Sequence, residues 1–309
     1  MIIKTDSLEI FKQNEYRQTD IGYVSNNAYL SIVATNKCQR DCFYCINSNT
    51  DRTLELPIAK AIVNIKKLVE KYRIKDAVIL GGEPLLHKDI LSLCKEVKET
   101  GIQNLYLTTN GIALVGNNRL IDELAIHLNG INISFHNEDF MTFEELHQIY
   151  CRFNYFNVKV RVNTNIWLGN HNSLIELKRF INKLRISSVC DEIRVSNLIK
   201  KDDFSVNTVN NPRTDDLILT DEEYQDLFGR YIADEKQKYS IFLNKETLGF
   251  VRYFLIPSKV PVIINWNLGS TVSRQVCEND ISQRKINTFK CLVSGDISLS
   301  WNINNIIKL

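Results

Sequence analysis

Short apolar runs alternate with amphipathic helical stretches along most of the chain, and this alternation constrains the fold more than any other feature. "AYLSIVAT" (28–35) is an apolar run bounded by polar residues, the pattern of a buried strand. Pro57, a residue suited to a first helical position, opens a stretch in which Ile58, Ile62, Ile65 and Val69 share one helical face. The pair then recurs as strand 76–82 and helix 89–99, strand 104–111 and helix 119–127, strand 130–136 and helix 142–153. Strand 158–167 and helix 173–184 follow, then strand 191–199 and helix 220–236, with Thr220 as N-cap and Glu223 completing a capping box. Six β/α units in series, over residues 28–236, build a parallel sheet with helices outside. The pattern admits an open doubly wound sheet or a partial barrel, and in both the chemistry belongs at the C-terminal ends of the strands.

Either side of these units the character changes. Residues 1–27 read as an N-terminal extension. Residues 237–309 hold "FVRYFLIP", "VPVIINW" and "DISLSWN", strands with short turns that predict a small β-rich cap. Trp266 and Trp301, flanked by Asn and Ser, suit either an orienting pocket or simple packing of that cap. The expected fold class is α/β: a partial (β/α)6 TIM-like barrel with a small C-terminal β-rich cap.

Composition excludes several function classes. A net charge of +2 with scattered Lys and Arg argues against a nucleic-acid partner, which needs a concentrated basic surface. No apolar stretch is long enough for a membrane span, and the N-terminus lacks a signal-peptide pattern, so the expected location is cytoplasmic. In a reducing compartment eight cysteines do not form a disulfide framework, and a tight cluster of them points to metal or redox chemistry.

That cluster is "TNKCQRDCFYCINSN" (35–49), where Cys38, Cys42 and Cys45 are spaced C-x3-C-x2-C just after the first strand. No fourth Cys or His lies nearby. Structural zinc takes four protein ligands, so the fourth would have to come from far away. A four-iron cluster held by three thiolates keeps one iron free to bind something else.

"CQRDCFYC" resembles the C-x3-C-x-aromatic-C signature of the radical S-adenosylmethionine (radical SAM) superfamily, over about residues 28–200. The resemblance implies a partial barrel and a [4Fe–4S] cluster on Cys38, Cys42 and Cys45. It also implies SAM bound to the open iron and cleaved by an electron from the cluster to a 5′-deoxyadenosyl radical. A donor such as flavodoxin or ferredoxin would supply that electron. Tyr44 would then lie along the adenine. "LGGEPLL" resembles the family's GGE motif, which implies that Gly81, Gly82, Glu83 and Pro84 meet the methionine end of SAM, Glu83 through the cationic amino group. The glycines would let the backbone pass close to a ligand.

Small polar residues at later strand ends are further candidates: Thr109 and Asn110 in "TTNG", Ser134 in "NISFH", and Asn163 in "VRVNTNIWLGN", a stretch similar to the molybdopterin-precursor cyclase type. His136 is a candidate proton donor or acceptor toward substrate. Arg161 and Arg194 are candidates for holding an anionic group, or for ordinary ion pairs. Of the remaining cysteines, Cys94 and Cys151 read as small core residues on helices and Cys190 as a loop residue. Cys277 is a candidate hydrogen-atom donor, and with Cys291 it makes too few cysteines for a second cluster; no SPASM-type pattern is evident.

The expected function is hydrogen-atom abstraction from an organic substrate, a sugar, nucleoside or amino acid derivative in a biosynthetic pathway. The alternatives are a maturase that epimerises or cross-links a ribosomal peptide, and a non-catalytic zinc or iron–sulfur module.

Overall fold

The structure, a computed structural model, describes residues 15–45, 50–198, 216–235, 240–246, 250–256, 262–265, 284–299 and 306–309. Strands β1 (Tyr16–Thr19) and β2 (Gly22–Val33) form an antiparallel hairpin. The chain then runs α1 (Ile58–Tyr72), β3 (Asp76–Leu80), α2 (Ile90–Glu99), β4 (Asn104–Thr109), α3 (Asn118–Ala125) and β5 (Gly130–Ser134). α4 (Phe143–Tyr155), β6 (Lys159–Ile166), α5 (Leu174–Ile186), β7 (Glu192–Asn197) and α6 (Asp221–Glu235) follow. The last strands are β8 (Ser240–Glu246), β9 (Phe250–Ile256), β10 (Val262–Asn265), β11 (Lys285–Cys291) and β12 (Ile297–Ser298).

Strands β2 to β7 lie side by side in chain order, each pair parallel. A right-handed crossover between neighbouring parallel strands returns its helix to the same face each time. An order that never reverses therefore places α1 to α5 on one side and leaves the other side free. A doubly wound sheet needs a reversal of order, so the topology selects the partial barrel. β11 continues the sheet parallel to β2 and β10 continues it parallel to β7, while β12 pairs with β11. Part of the region expected as a cap thus extends the barrel sheet at both ends. β8 and β9 form a separate antiparallel hairpin. Among the described strands β10 and β12, at the two ends of the sheet, do not pair with each other, and the barrel is open.

The strand alternation sorts side chains by face. On β4, Leu105 and Leu107 are wholly buried while Tyr106 and Thr108 are only half-buried. On β6, Val160, Val162, Thr164 and Ile166 are buried and Arg161, Asn163 and Asn165 are not. Helices cover the apolar face, α2 on β4 and α4 on β6. α1 buries Ala61, Ile65, Leu68 and Tyr72, with Ile58, Ile62 and Val69 at the margin of that stripe. α4 starts at a capping box, Thr142 with Glu145, and buries Phe143, Leu146, Ile149 and Phe153. The box expected at α6 is also present: the Thr220 N–H donates to Glu223 Oε2 (2.8 Å), and the Glu223 N–H to Thr220 Oγ1 (3.1 Å).

Cys94, Cys190 and Cys291 are buried, and burial pushes each thiol up to about 12. Cys151 corrects the expectation of a core residue, because it is exposed. It sits two residues from both Ile149 and Phe153, a turn of roughly 200°, which points it away from their face. Cys277, Trp266 and Trp301 lie outside the described residues.

Candidate active site at the strand C-terminal edge

The cysteine loop follows β2, and β3 ends beside it. A Cβ built on Gly81 would lie 2.3 Å from the Thr35 carbonyl oxygen, and one on Gly82 would lie 2.3 Å from that of Lys37. The glycine pair lets β3 close on the backbone leading into Cys38, fastened by Gly82 N–H to Thr35 O (2.7 Å) and Glu83 N–H to Lys37 O (2.6 Å). Residues 35–37 fill the room that the missing Cβ atoms leave.

Glu83 is buried, and its carboxylate joins two motifs that are far apart in sequence. Oε1 accepts from Thr109 Oγ1 (2.7 Å) and from the Leu85 N–H (3.1 Å), while Oε2 accepts from the Asn110 N–H (2.8 Å). Burial raises the carboxyl above the usual carboxylate range, and these three donors pull it back. Each carboxylate oxygen takes about two donors, so Oε1 is filled and Oε2 has room for one more. Pro84, also buried, begins the short 3-10 turn Pro84–Leu86 that aims the Leu85 N–H at this carboxylate. Asn110 continues the network: Oδ1 accepts from the Ile112 N–H (3.0 Å) and from Gln39 Nε2 in the cysteine loop (3.3 Å). Asn110 Nδ2 is buried with no protein partner.

Cys38, Cys42 and Cys45 are all half-buried. Burial raises the Cys38 thiol, and the Arg40 N–H, 3.4 Å from its Sγ, works the other way. Arg40 itself is held by its guanidinium over the Phe140 ring, 3.4 Å from the centroid. Among the described residues no three His, Cys, Asp or Glu side chains group closely enough to hold one metal ion.

An aromatic wall closes this edge. Tyr44 packs on His136 (ring centroids 5.4 Å) and on Trp167 (5.2 Å), and Phe43 meets Trp167 at 5.6 Å. Burial raises the Tyr44 phenol strongly. His136 is 8% exposed, and burial pulls it down to about 3. Its Nδ1 accepts from the Asn165 N–H (3.0 Å), which leaves the ring proton on Nε2. In this arrangement burial holds His136 neutral, with its ring proton on Nε2.

Ser134 and Asn163 sit opposite one another in the β5–β6 register, and Asn163 Oδ1 is buried without a partner. Arg161 pairs with Glu192, the second of its two expected roles. Sequence reasoning missed Trp167, Gln39 and Arg40. All three carried a signal: two lie between the cysteines, and Trp167 closes the strand expected over 158–167.

Residues 32–184 match the family model of the radical SAM superfamily. A probable GTP 3′,8-cyclase of Methanocaldococcus jannaschii is 39% identical over 110 residues, 34% of this chain and 35% of that protein. Another from Sulfurisphaera tokodaii is 31% identical over 117 residues, 38% of this chain and 37% of that protein. The chain thus spans just over a third of these relatives' length. In fold it is similar to Streptococcus suis SuiB bound to S-adenosylmethionine, with a TM-score of 0.61 and 14% identity over 90% of this chain and 61% of that one. Residues 32–184 are a domain of the radical SAM superfamily, a class of enzymes that work with a [4Fe–4S] cluster and S-adenosylmethionine.

Proposed function

We propose that this enzyme abstracts a hydrogen atom from a small organic molecule. Bound together, cluster and SAM supply reductive cleavage of the sulfonium to a carbon radical strong enough for that step. Cys38, Cys42 and Cys45 would hold three irons of the cluster. The observation that carries the reading is the Glu83 hub. One buried carboxylate fixes the ends of β3 and β4 against each other, and Asn110 ties them to the cysteine loop through Gln39.

The chain's own residues would then act as follows. Glu83 Oε2 keeps one acceptor position, which suits the ammonium of an amino acid. Asn110 Nδ2, Ser134 and Asn163 offer polar contacts along the strand ends. Tyr44 and Trp167 give an apolar wall for a flat base and help keep water from a reactive carbon. His136 would offer an N–H from Nε2. That relatives over about a third of the chain are named for a reaction of GTP supports a small-molecule substrate over a peptide.

The test is anaerobic reconstitution. Brown protein with about four irons per chain, forming 5′-deoxyadenosine from SAM under dithionite, is the expected result. Colourless protein with stoichiometric zinc would overturn it. Metabolite extracts added to the reconstituted enzyme then separate a small molecule from a peptide by which fraction accelerates SAM cleavage.

A further inference from the structure

α4 carries a histidine and a cysteine one turn apart on its outer side, distant in function from the strand edge. Cys151 Sγ lies 3.4 Å from His147 Nε2, and His147 Nδ1 lies 3.1 Å from the Ser188 carbonyl oxygen. A carbonyl can only accept, so Nδ1 carries the proton and Nε2 presents its lone pair to the thiol. The orienting carbonyl belongs to a residue with φ 49°, just past the end of α5, a left-handed conformation that a non-glycine residue adopts at some cost. The three groups reproduce the logic of an activated nucleophile: thiol, base, and a fixed acceptor that sets the tautomer of the base. Cys151 is exposed, while Cys94, Cys190 and Cys291 are buried in apolar surroundings. Metal binding is a poor alternative, since no third His, Cys, Asp or Glu joins the pair to make a metal-holding group among the described residues.

We propose that Cys151 and His147 form a thiol–disulfide exchange site, taking a low-molecular-weight disulfide such as oxidised glutathione as its co-substrate. His147 Nε2 accepts the proton as Cys151 sulfur attacks one sulfur of the disulfide. The S–S bond breaks and the departing thiolate takes the proton back from the imidazolium. The products are a mixed disulfide on Cys151 and one free thiol, with no net change in electrons or protons. The exchange is reversible, as a surface modification of a protein with an oxidant-sensitive cluster needs to be.

The experiment treats the cluster-loaded protein, kept anaerobic, with oxidised glutathione between about pH 6 and 8, followed by mass spectrometry of each cysteine peptide. The expected result is that the Cys151 peptide gains glutathione while those of Cys94, Cys190 and Cys291 do not. His147→Gln should slow the adduct about tenfold near pH 7 and steepen its rise with pH toward that of an ordinary thiol. Circular dichroism establishes that the variant is folded, and Cys151→Ser should remove the adduct altogether. Equal rates and equal pH profiles with and without His147 would overturn the proposal. So would modification of the buried cysteines as fast as Cys151.

Discussion

The two faces of the barrel sheet are made from the same strands and behave as different materials. One face is close-packed and apolar: Ile79, Leu107, Ile131 and Val162 each show no more than 1% of their surface. The other face and the strand ends carry Arg161, Glu192, Asn132, Ser134 and Asn163, with polar groups left for something other than protein to satisfy. Stability and chemistry are thus separated by the two-residue period of the strand. A substitution should disturb mainly the property of the face it is on. Glu83 is the exception: a candidate site residue that is also a buried structural tie.

The largest expected effect tests the chemical side. Cys42→Ala should abolish cluster loading and SAM cleavage and leave the melting temperature of the apoprotein unchanged, since Cys42 sits on a half-buried loop. Residual 5′-deoxyadenosine formation under dithionite would break the assignment. The apolar side is tested by Leu107→Ala, which empties a fully buried position. It should cost about 2–5 kcal/mol in chemical denaturation, with iron per folded chain unchanged. If the two variants lose both properties together, the faces are not independent.

Both faces were largely legible in the sequence because a strand or helix pattern is local. Apolar spacing located all six units; strand ends moved by two residues or fewer, except that β2 begins at Gly22, six residues before the expected start. The cysteine motif was legible for the same reason. What depended on distant partners was not. The glycines of "LGGEP" announced a close approach, but only the fold shows that the approaching group is the 35–37 backbone. Glu83 announced a carboxylate at a strand end, yet its donors Thr109 and Asn110 lie 26 and 27 residues away. Cys151 lies about 200° around α4 from Ile149, so it faces outward although Ile149 and Phe153, two residues to either side, are buried. Alternation alone also could not choose between barrel and doubly wound sheet, a choice made by strand order.

His136 lies at the chemical edge but is buried like a core residue, and pH should expose this. The folded state keeps its imidazole neutral down to about pH 3, whereas the unfolded chain takes up the proton near the ordinary 6.5. Between those values the unfolded state binds the extra proton, so stability falls as pH falls. From pH 6.5 to 5 the loss is about 2 kcal/mol, at about 1.4 per unit. His136→Gln should flatten that slope when denaturant midpoints are compared at the two pH values. An unchanged slope would place the pH sensitivity elsewhere.

The smallest effect gives the sharpest comparison, because it uses adjacent residues of one strand. Asn163 and Thr164 both hold a buried oxygen without a protein partner, Oδ1 and Oγ1, and successive side chains on β6 point to opposite faces. On the apolar face the Thr164 hydroxyl has nothing to gain from staying polar. Thr164→Val keeps the branched shape and removes a buried group that has lost its water, so it should stabilise by about 1 kcal/mol and leave SAM affinity alone. On the open face the Asn163 Oδ1 is left without a protein partner, and the proposed reading gives it a ligand. Asn163→Leu should leave stability nearly unchanged and weaken SAM binding in calorimetry by roughly five- to tenfold, the value of one hydrogen bond. If Thr164→Val weakens SAM binding instead, its hydroxyl serves the site through the sheet. The two-residue period would then fail as the boundary between packing and chemistry.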